Sequence, residues 1–421
     1  MKYNLKKLVF SSSLIGLIAL SSCGVNSTEV NKVYSSCNIV NKKLADYNIS
    51  SDDYKLFIEK LNSFSAKSSA NILDKNTNAI SPLSLYMNLA MTSTITSGNT
   101  YNELINFLDI DYNDILKYTK ALYGLSMKEK LSNEEVYHKE NLVNSIWISN
   151  NVKYKNECLY DLYNCFNASS FIVDYSNKNT STNISKYISD NTNGLINPNL
   201  NFSENTIFTL INSLYASDLW NEVGLSYTKN DYEFKNYDNT TTKKKFLVGN
   251  SFLGEAYVGD DYSCVYQKTS NDLKLTFIIP NDNKDLYTIM NNDNLNNMLK
   301  LDNSNYIKDD STYTRVIFPE FESKYNGDLK DKLSTLGVKS LFDLSNDYKL
   351  FENDAYASSL IQMVNFKANK KGIEGAAVTL STTDSSSFSS NLKEFVVNKS
   401  FGYVLSDSYG VALFIGVVDN I

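Results

Sequence analysis

The sequence predicts one large α+β domain running from about residue 51 to residue 421. Three observations carry this. Helical patterns open the chain, strand patterns concentrate late in it, and no Pro- or Gly-rich linker or fixed-period repeat divides the interior. A length of 421 residues allows two or three average domains, so the missing divider decides for one.

The elements follow in order. Tyr54, Phe57, Ile58 and Leu61 fall at i, i+3, i+4 and i+7, which predicts an amphipathic helix over 52–64. A second helix fits 82–91, with Ser81 as N-cap and Pro82 at the first helical position, where its missing N–H does no harm. Helical spacing recurs at 99–108, 182–191 and 328–336, and in Leu159, Leu162, Tyr163 and Phe166. Strands are expected at 143–148, 171–175, 274–279, 314–318, 362–368 and 411–418.

Composition excludes several classes. With 42% hydrophobic and 21% charged residues the chain is an ordinary folded protein, not a disordered one. The net charge is −7 and no basic block is present, which speaks against a nucleic-acid partner. His138, the sole histidine, lies in the charged run Glu134-Glu135-Val136-Tyr137-His138-Lys139-Glu140, which reads as a solvated face rather than a buried catalytic base. No phosphate loop or dinucleotide fingerprint occurs. An enzyme is not expected.

The N-terminus carries a processing signal. Lys2, Lys6 and Lys7 precede an apolar run over 8–20, and small residues lead to Cys23. The run is shorter than the roughly 20 residues a membrane helix needs. Leu20-Ser21-Ser22-Cys23 resembles a bacterial lipobox. The expectation is a lipoprotein signal peptide over 1–22, lipid on Cys23, and a polar tether over 23–50. The domain would then sit on the extracellular side of a bacterial cell membrane. Of the other cysteines (Cys37, Cys158, Cys165 and Cys264), Cys158 and Cys165 are seven positions apart on one helix. That is a rise of about 10.5 Å, too far for a disulfide. No Cys/His spacing suggests zinc, so no metal or cofactor is expected.

Several short motifs occur in a telling order. They are Ile80-Ser81-Pro82-Leu83-Ser84 with Gly98-Asn99-Thr100 and Glu103-Leu104, then Asn144-Ser145-Ile146-Trp147 and Asn191-Thr192-Asn193-Gly194-Leu195-Ile196. Asn212-Ser213-Leu214-Tyr215 with Trp220, Pro319-Glu320-Phe321, Leu336-Gly337-Val338 and Phe414-Ile415-Gly416-Val417-Val418 follow. Each is weak alone; together they resemble the serpin family. The resemblance implies a serpin fold: one α+β domain with a central mixed or antiparallel sheet, further sheets, about eight or nine helices and an exposed reactive loop, here about 372–392. It also implies a mechanism in which a protease cuts that loop, stays esterified to it, and is dragged and distorted as the freed segment inserts into the sheet.

The hinge for such insertion would be Gly372, Ile373, Glu374, Gly375, Ala376, Ala377, Val378 and Thr379, mostly small or strand-compatible residues. Ser81, Ser84, Asn212, Trp220 and Gln362 would form the sheet-opening region, with Gln362 bonding Ser81, Ser84 or Asn212. Two residues depart from the family pattern. Lys370 stands where most inhibitory relatives carry Glu, so a contact there is absent or reversed, and Ile373 replaces a Thr or Ser.

The reactive bond is expected at Phe388–Ser389, because an aromatic offers buried area to a protease's primary pocket; Ser386–Ser387 is the alternative. No Lys or Arg occurs from 372 to 392, which disfavours trypsin-like targets. The expected partner of this monomer is a chymotrypsin-like or subtilisin-like serine protease, with a cysteine protease as the other target class. The alternative function is a non-inhibitory serpin used as a surface binding or adhesion module.

Overall fold

A computed structural model of the chain describes residues 30–34, 43–126, 128–132, 135–221, 224–253, 256–300, 312–373 and 392–421. Its first long helix, α1 (Ser51–Ile72), starts where the Ser50 hydroxyl accepts the Asp53 N–H at 3.0 Å. The expected stripe of Tyr54, Phe57, Ile58 and Leu61 is buried and continues through Phe64 to Ile72, so the helix outruns its predicted end. Burial of each such side chain contributes about 1.5–3 kcal/mol. Helix α2 (Pro82–Thr94) is buried on every side and is capped by the Ser81 hydroxyl, which accepts the Ser84 N–H at 3.2 Å. Helices α3 (Gly98–Leu108), α4 (Tyr112–Ser126), α5 (Asn156–Phe166) and α6 (Lys178–Asn191) follow. Of these, α4 was not expected from the sequence.

The central sheet contains eight strands: β1 (Val30–Tyr34), β2 (Lys128–Ser132), β3 (Glu135–Ser149), β4 (Ser169–Val173), β5 (Phe208–Leu219), β6 (Phe321–Asp328), β7 (Ile361–Ala368) and β8 (Gly372–Ile373). Their order is β1-β4-β3-β5-β8-β7-β6, with β2 paired to β3. The sheet is mixed, because β3 and β4 run parallel while the other pairs are antiparallel. On β7 the residues Gln362, Val364, Phe366 and Ala368 face inward in strict alternation, as period two requires.

A six-stranded sheet carries the late strands Lys274–Pro280, Phe401–Ser406 and Ala412–Val418, and a four-stranded sheet carries Tyr313–Phe318 and Leu392–Val396. Helix α2 lies between the central and six-stranded sheets, touching β5 on one side and Ala412–Val418 on the other. A smaller core under α6 is built on Trp147, stacked on Phe171 at 4.1 Å.

One expectation is corrected here. The polar tether over 23–50 is not free along its length, since Val30–Tyr34 pairs with β4, Val30 opposite Val173. The pairing covers what would be an open sheet edge, and Tyr34 packs its ring 5.5 Å from that of Tyr163. The signal peptide 1–22, Cys23 and Cys37 lie outside the described residues. Among the described residues Cys158, Cys165 and Cys264 are buried and not joined in a disulfide.

Candidate functional site

Strand β7 does not simply run out into the loop. After Ala368 the chain makes a tight reversal over 369–371 and re-enters the sheet as β8. Asn369 organises the turn: its side-chain oxygen accepts the N–H of Lys371 at 2.8 Å and of Gly372 at 3.3 Å, and its own N–H donates to the Gly372 carbonyl at 3.0 Å. The far side of the turn is fastened to the end of β5. Trp220 donates its indole N–H to the Asn369 carbonyl at 2.7 Å and its backbone N–H to Lys371 at 3.1 Å, and the Leu225 N–H reaches the Lys370 carbonyl at 2.8 Å.

Within β8, Gly372 pairs with Leu219, and Ile373 pairs with Asp218 on one side and Ala368 on the other. A Cβ at 372 would stand 2.0 Å from the Asp218 carbonyl oxygen, so the backbones meet this closely only at glycine. Ile373 is fully buried. Among the described residues no register pair joins β5 directly to β7; β8 alone stands between them.

Farther down the same two strands lies the sheet-opening cluster. The Gln362 amide donates to the Ser81 carbonyl at 2.9 Å, and its oxygen accepts the Ser81 N–H at 3.4 Å. The Ser81 hydroxyl donates to Leu413 at 2.8 Å, tying the start of α2 to the six-stranded sheet. Ser84 donates its hydroxyl to the Asn212 side-chain oxygen, and Asn212 in turn donates to Asn144, whose amide reaches the Tyr123 hydroxyl and the Phe166 carbonyl. Gln362 therefore bonds Ser81 alone of its three expected partners, because Ser84 and Asn212 satisfy each other.

Trp220 does not join this cluster. It sits at the hinge, roughly 25 Å along β5 from Asn212 at about 3.3 Å per residue. Between the lower ends of β5 and β7, a cavity of about 70 Å³ is lined by Leu210, Asn212, Ile361 and Met363, together with Phe202 and Asn88 of α2.

His138 is not on a solvated face. It is completely buried on β3, directly opposite Asp218 of β5. Its Nδ1 lies 3.3 Å from Asp218 and its Nε2 lies 3.3 Å from Glu140, two residues on along the same strand face. Each ring nitrogen thus faces a carboxylate at hydrogen-bond distance but out of ideal alignment. Burial alone would lower the imidazole pKa, but the two carboxylates outweigh it and hold it above the ordinary 6.5. The run of charges around His138 hid this burial, since only strand alternation and the unseen partner Asp218 reveal it.

Comparison with known proteins now decides the family. The family model for Serpin (serine protease inhibitor) matches residues 59–421. The chain belongs to the serpin family. Among curated serpins, Iripin-1 of Ixodes ricinus is 27% identical over 222 residues, 51% of this chain and 56% of that protein. The match thus spans about half the length of Iripin-1. Human neuroserpin is 23% identical over 318 residues, covering 71% of this chain and 75% of neuroserpin. The crystal structure of the thermophilic serpin Tengpin in its native state superposes with a TM-score of 0.77 at 20% identity, covering 93% of this chain and all of that one.

Seen as a serpin, the chain accommodates both of its departures. Ile373 finds an apolar, fully buried place beside Ala368. Around Lys370 the contacts are a backbone hydrogen bond and an aromatic ring. The Glu320 carboxylate accepts the Lys370 backbone N–H at 2.7 Å and the Tyr227 hydroxyl at 3.0 Å, while the Lys370 ammonium stands 5.6 Å from the centre of the Tyr227 ring. The hinge residues Glu374, Gly375, Ala376, Ala377, Val378 and Thr379 lie outside the described residues, as do Ser386, Ser387, Phe388 and Ser389.

Proposed function

We propose that this serpin is a surface-anchored inhibitor of serine proteases that traps its target as a suicide substrate, its cut loop entering the central sheet between β5 and β7. The observation that carries the reading is the place of Gly372–Ile373, already between those two strands. A strand continuing the register of Ile373 would set Gly375, Ala377 and Thr379 on the inward face and Glu374, Ala376 and Val378 on the outward face. The inward residues are small, which suits entry over a packed core.

Counted down the same register, Thr379 falls opposite both Asn212 and Gln362, the two strand residues of the sheet-opening cluster. Insertion would therefore deliver a hydroxyl to the place where two amides flank the gap. Each ladder hydrogen bond gained contributes about 0.5–1.5 kcal/mol net.

The bond offered to the protease is Phe388–Ser389, which matches a chymotrypsin-like or subtilisin-like primary pocket. The lipobox-like Leu20-Ser21-Ser22-Cys23 supports a lipid anchor on the outer side of a bacterial membrane. The test is to mix the protein with chymotrypsin and with subtilisin. A complex that survives boiling in detergent, a new chain end at Ser389 by mass spectrometry and a higher Tm of the cut protein are expected. A cut loop with no complex and no rise in Tm would overturn the inhibitor reading in favour of a surface binding module.

A further inference from the structure

His138, Glu140 and Asp218 form a buried ionisable group with no part in cutting or esterification, and it adjoins the hinge. His138, Asp218, Ile373 and Ala368 stand side by side across β3, β5, β8 and β7, each opposite the next in register. All four are essentially excluded from solvent.

Asp218 is held on its other side by the hairpin turn of the six-stranded sheet. It accepts the Asn271 backbone N–H at 3.0 Å and the Asn271 side-chain amide at 2.8 Å, besides the Leu219 N–H at 2.9 Å. The Glu140 oxygens have no hydrogen-bond donor among the described residues, so the imidazole 3.3 Å away is their compensation.

We propose that the proton on His138 sets the docking of the hinge: with it, Gly372–Ile373 stays between β5 and β7, and without it the segment is released. The groups facing the imidazole can be named by element. From β3 itself comes Glu140, and from β5 Asp218. On β2 the backbone position opposite His138 is that of Lys130. From the hairpin turn comes the uncharged Asn271, and from β8 the apolar Ile373. A protonated His138 leaves the His138, Glu140 and Asp218 group with a net charge of −1, and a neutral one leaves it at −2.

With the ring neutral, Asp218 keeps its three hydrogen bonds and Glu140 has none among the described residues, and two facing carboxylates cost more in the sealed, docked arrangement than in one where withdrawal of Ile373 lets water reach Asp218. The sign follows from the charges: losing the imidazole proton leaves two carboxylates with no cation between them, so docking is favoured while His138 is protonated and is lost as pH rises. The two carboxylates hold the imidazole above its ordinary value in the folded protein, which places the loss above pH 6.5.

This inference concerns regulation of the hinge in the proposed function, and it is measured with no protease present. A failure to trap proteases would therefore leave it standing. Trp220 reports docking directly, since its indole N–H and backbone N–H are bonded to the turn at 369–371. The other tryptophan, Trp147, donates to the Ser145 hydroxyl and supplies a constant background.

The experiment follows Trp220 emission from about pH 5.5 to 9, either side of the ordinary histidine pKa. A red shift with a midpoint above the free-imidazole value is expected in the parent protein. His138→Gln should give the red-shifted emission at every pH. Glu140→Gln, which keeps the shape of the side chain but removes one of the two carboxylates, should hold the docked, unshifted emission across the whole range. If His138→Gln does not fold, Glu140→Gln decides. A flat parent curve, or a Glu140→Gln curve that superposes on the parent, would overturn the proposal.

Discussion

Gly372 and the carbonyl of Asp218 fit against each other only because residue 372 has no side chain; a Cβ there would stand 2.0 Å from that oxygen. The docked hinge depends on this contact, since the next residue, Ile373, is already committed to its place between Asp218 and Ala368.

Gly372→Ala should therefore weaken docking. Overpacking of this kind costs about 1–3 kcal/mol. On protease challenge, the product should move from covalent complex toward simple cleaved protein, measured as the band ratio on a denaturing gel. A complex fraction equal to that of the parent would refute the role given to this glycine.

Gln362→Ala removes both amide contacts to the backbone of Ser81. A buried donor left without its partner costs about 1–3 kcal/mol. The midpoint of urea unfolding should fall by the corresponding amount while Trp220 emission stays unchanged, because Gln362 begins β7 and Trp220 contacts the turn beyond its far end.

Thr379→Val tests the inserted register separately from the native fold. On the proposed insertion, residue 379 would come opposite Asn212 and Gln362, and the uncut variant should match the parent in Tm. After the loop is cut, the gain in stability should be smaller by roughly 1 kcal/mol, the worth of one hydrogen bond. An equal gain in both proteins would mean a different register.

The buried cysteines should be inert. Burial pushes the Cys264 thiol far up from its usual range and raises Cys158 as well, so little thiolate is present at neutral pH. Iodoacetamide mapped by mass spectrometry should leave both unlabelled in the folded protein and label both in urea.

Much of the fold was legible because its signals are local. The stripe at Tyr54, Phe57, Ile58 and Leu61 and the Ser81–Pro82 cap each announce a helix within a few residues, and each is found where expected. Strand 171–175 is found two residues earlier, at Ser169–Val173, because Tyr175 leaves the strand and sends its hydroxyl to the Trp147 carbonyl. What could not be read locally depends on partners far along the chain.

His138 looked solvated because every charge near it in sequence is real, and the residue that buries it, Asp218, is eighty positions away. Asn369 gave no signal either, since its turn is fastened by Trp220 and Leu225 in the segment after β5, far away in sequence. The hinge sequence from Gly372 was recognisable, but not that its first two residues would already be seated.

The seating of β8 has a consequence for the timing of events after the loop is cut. One anchor, Gly372–Ile373, belongs to the central sheet; the other, Leu392–Val396, pairs in parallel with Tyr313–Phe318 in a different sheet. Both anchors are already seated while the loop is intact, so in the proposed mechanism only insertion beyond Ile373 would draw the two new chain ends toward separate bodies of structure. Hydrolysis would then work as a ratchet, with each molecule recording a single encounter.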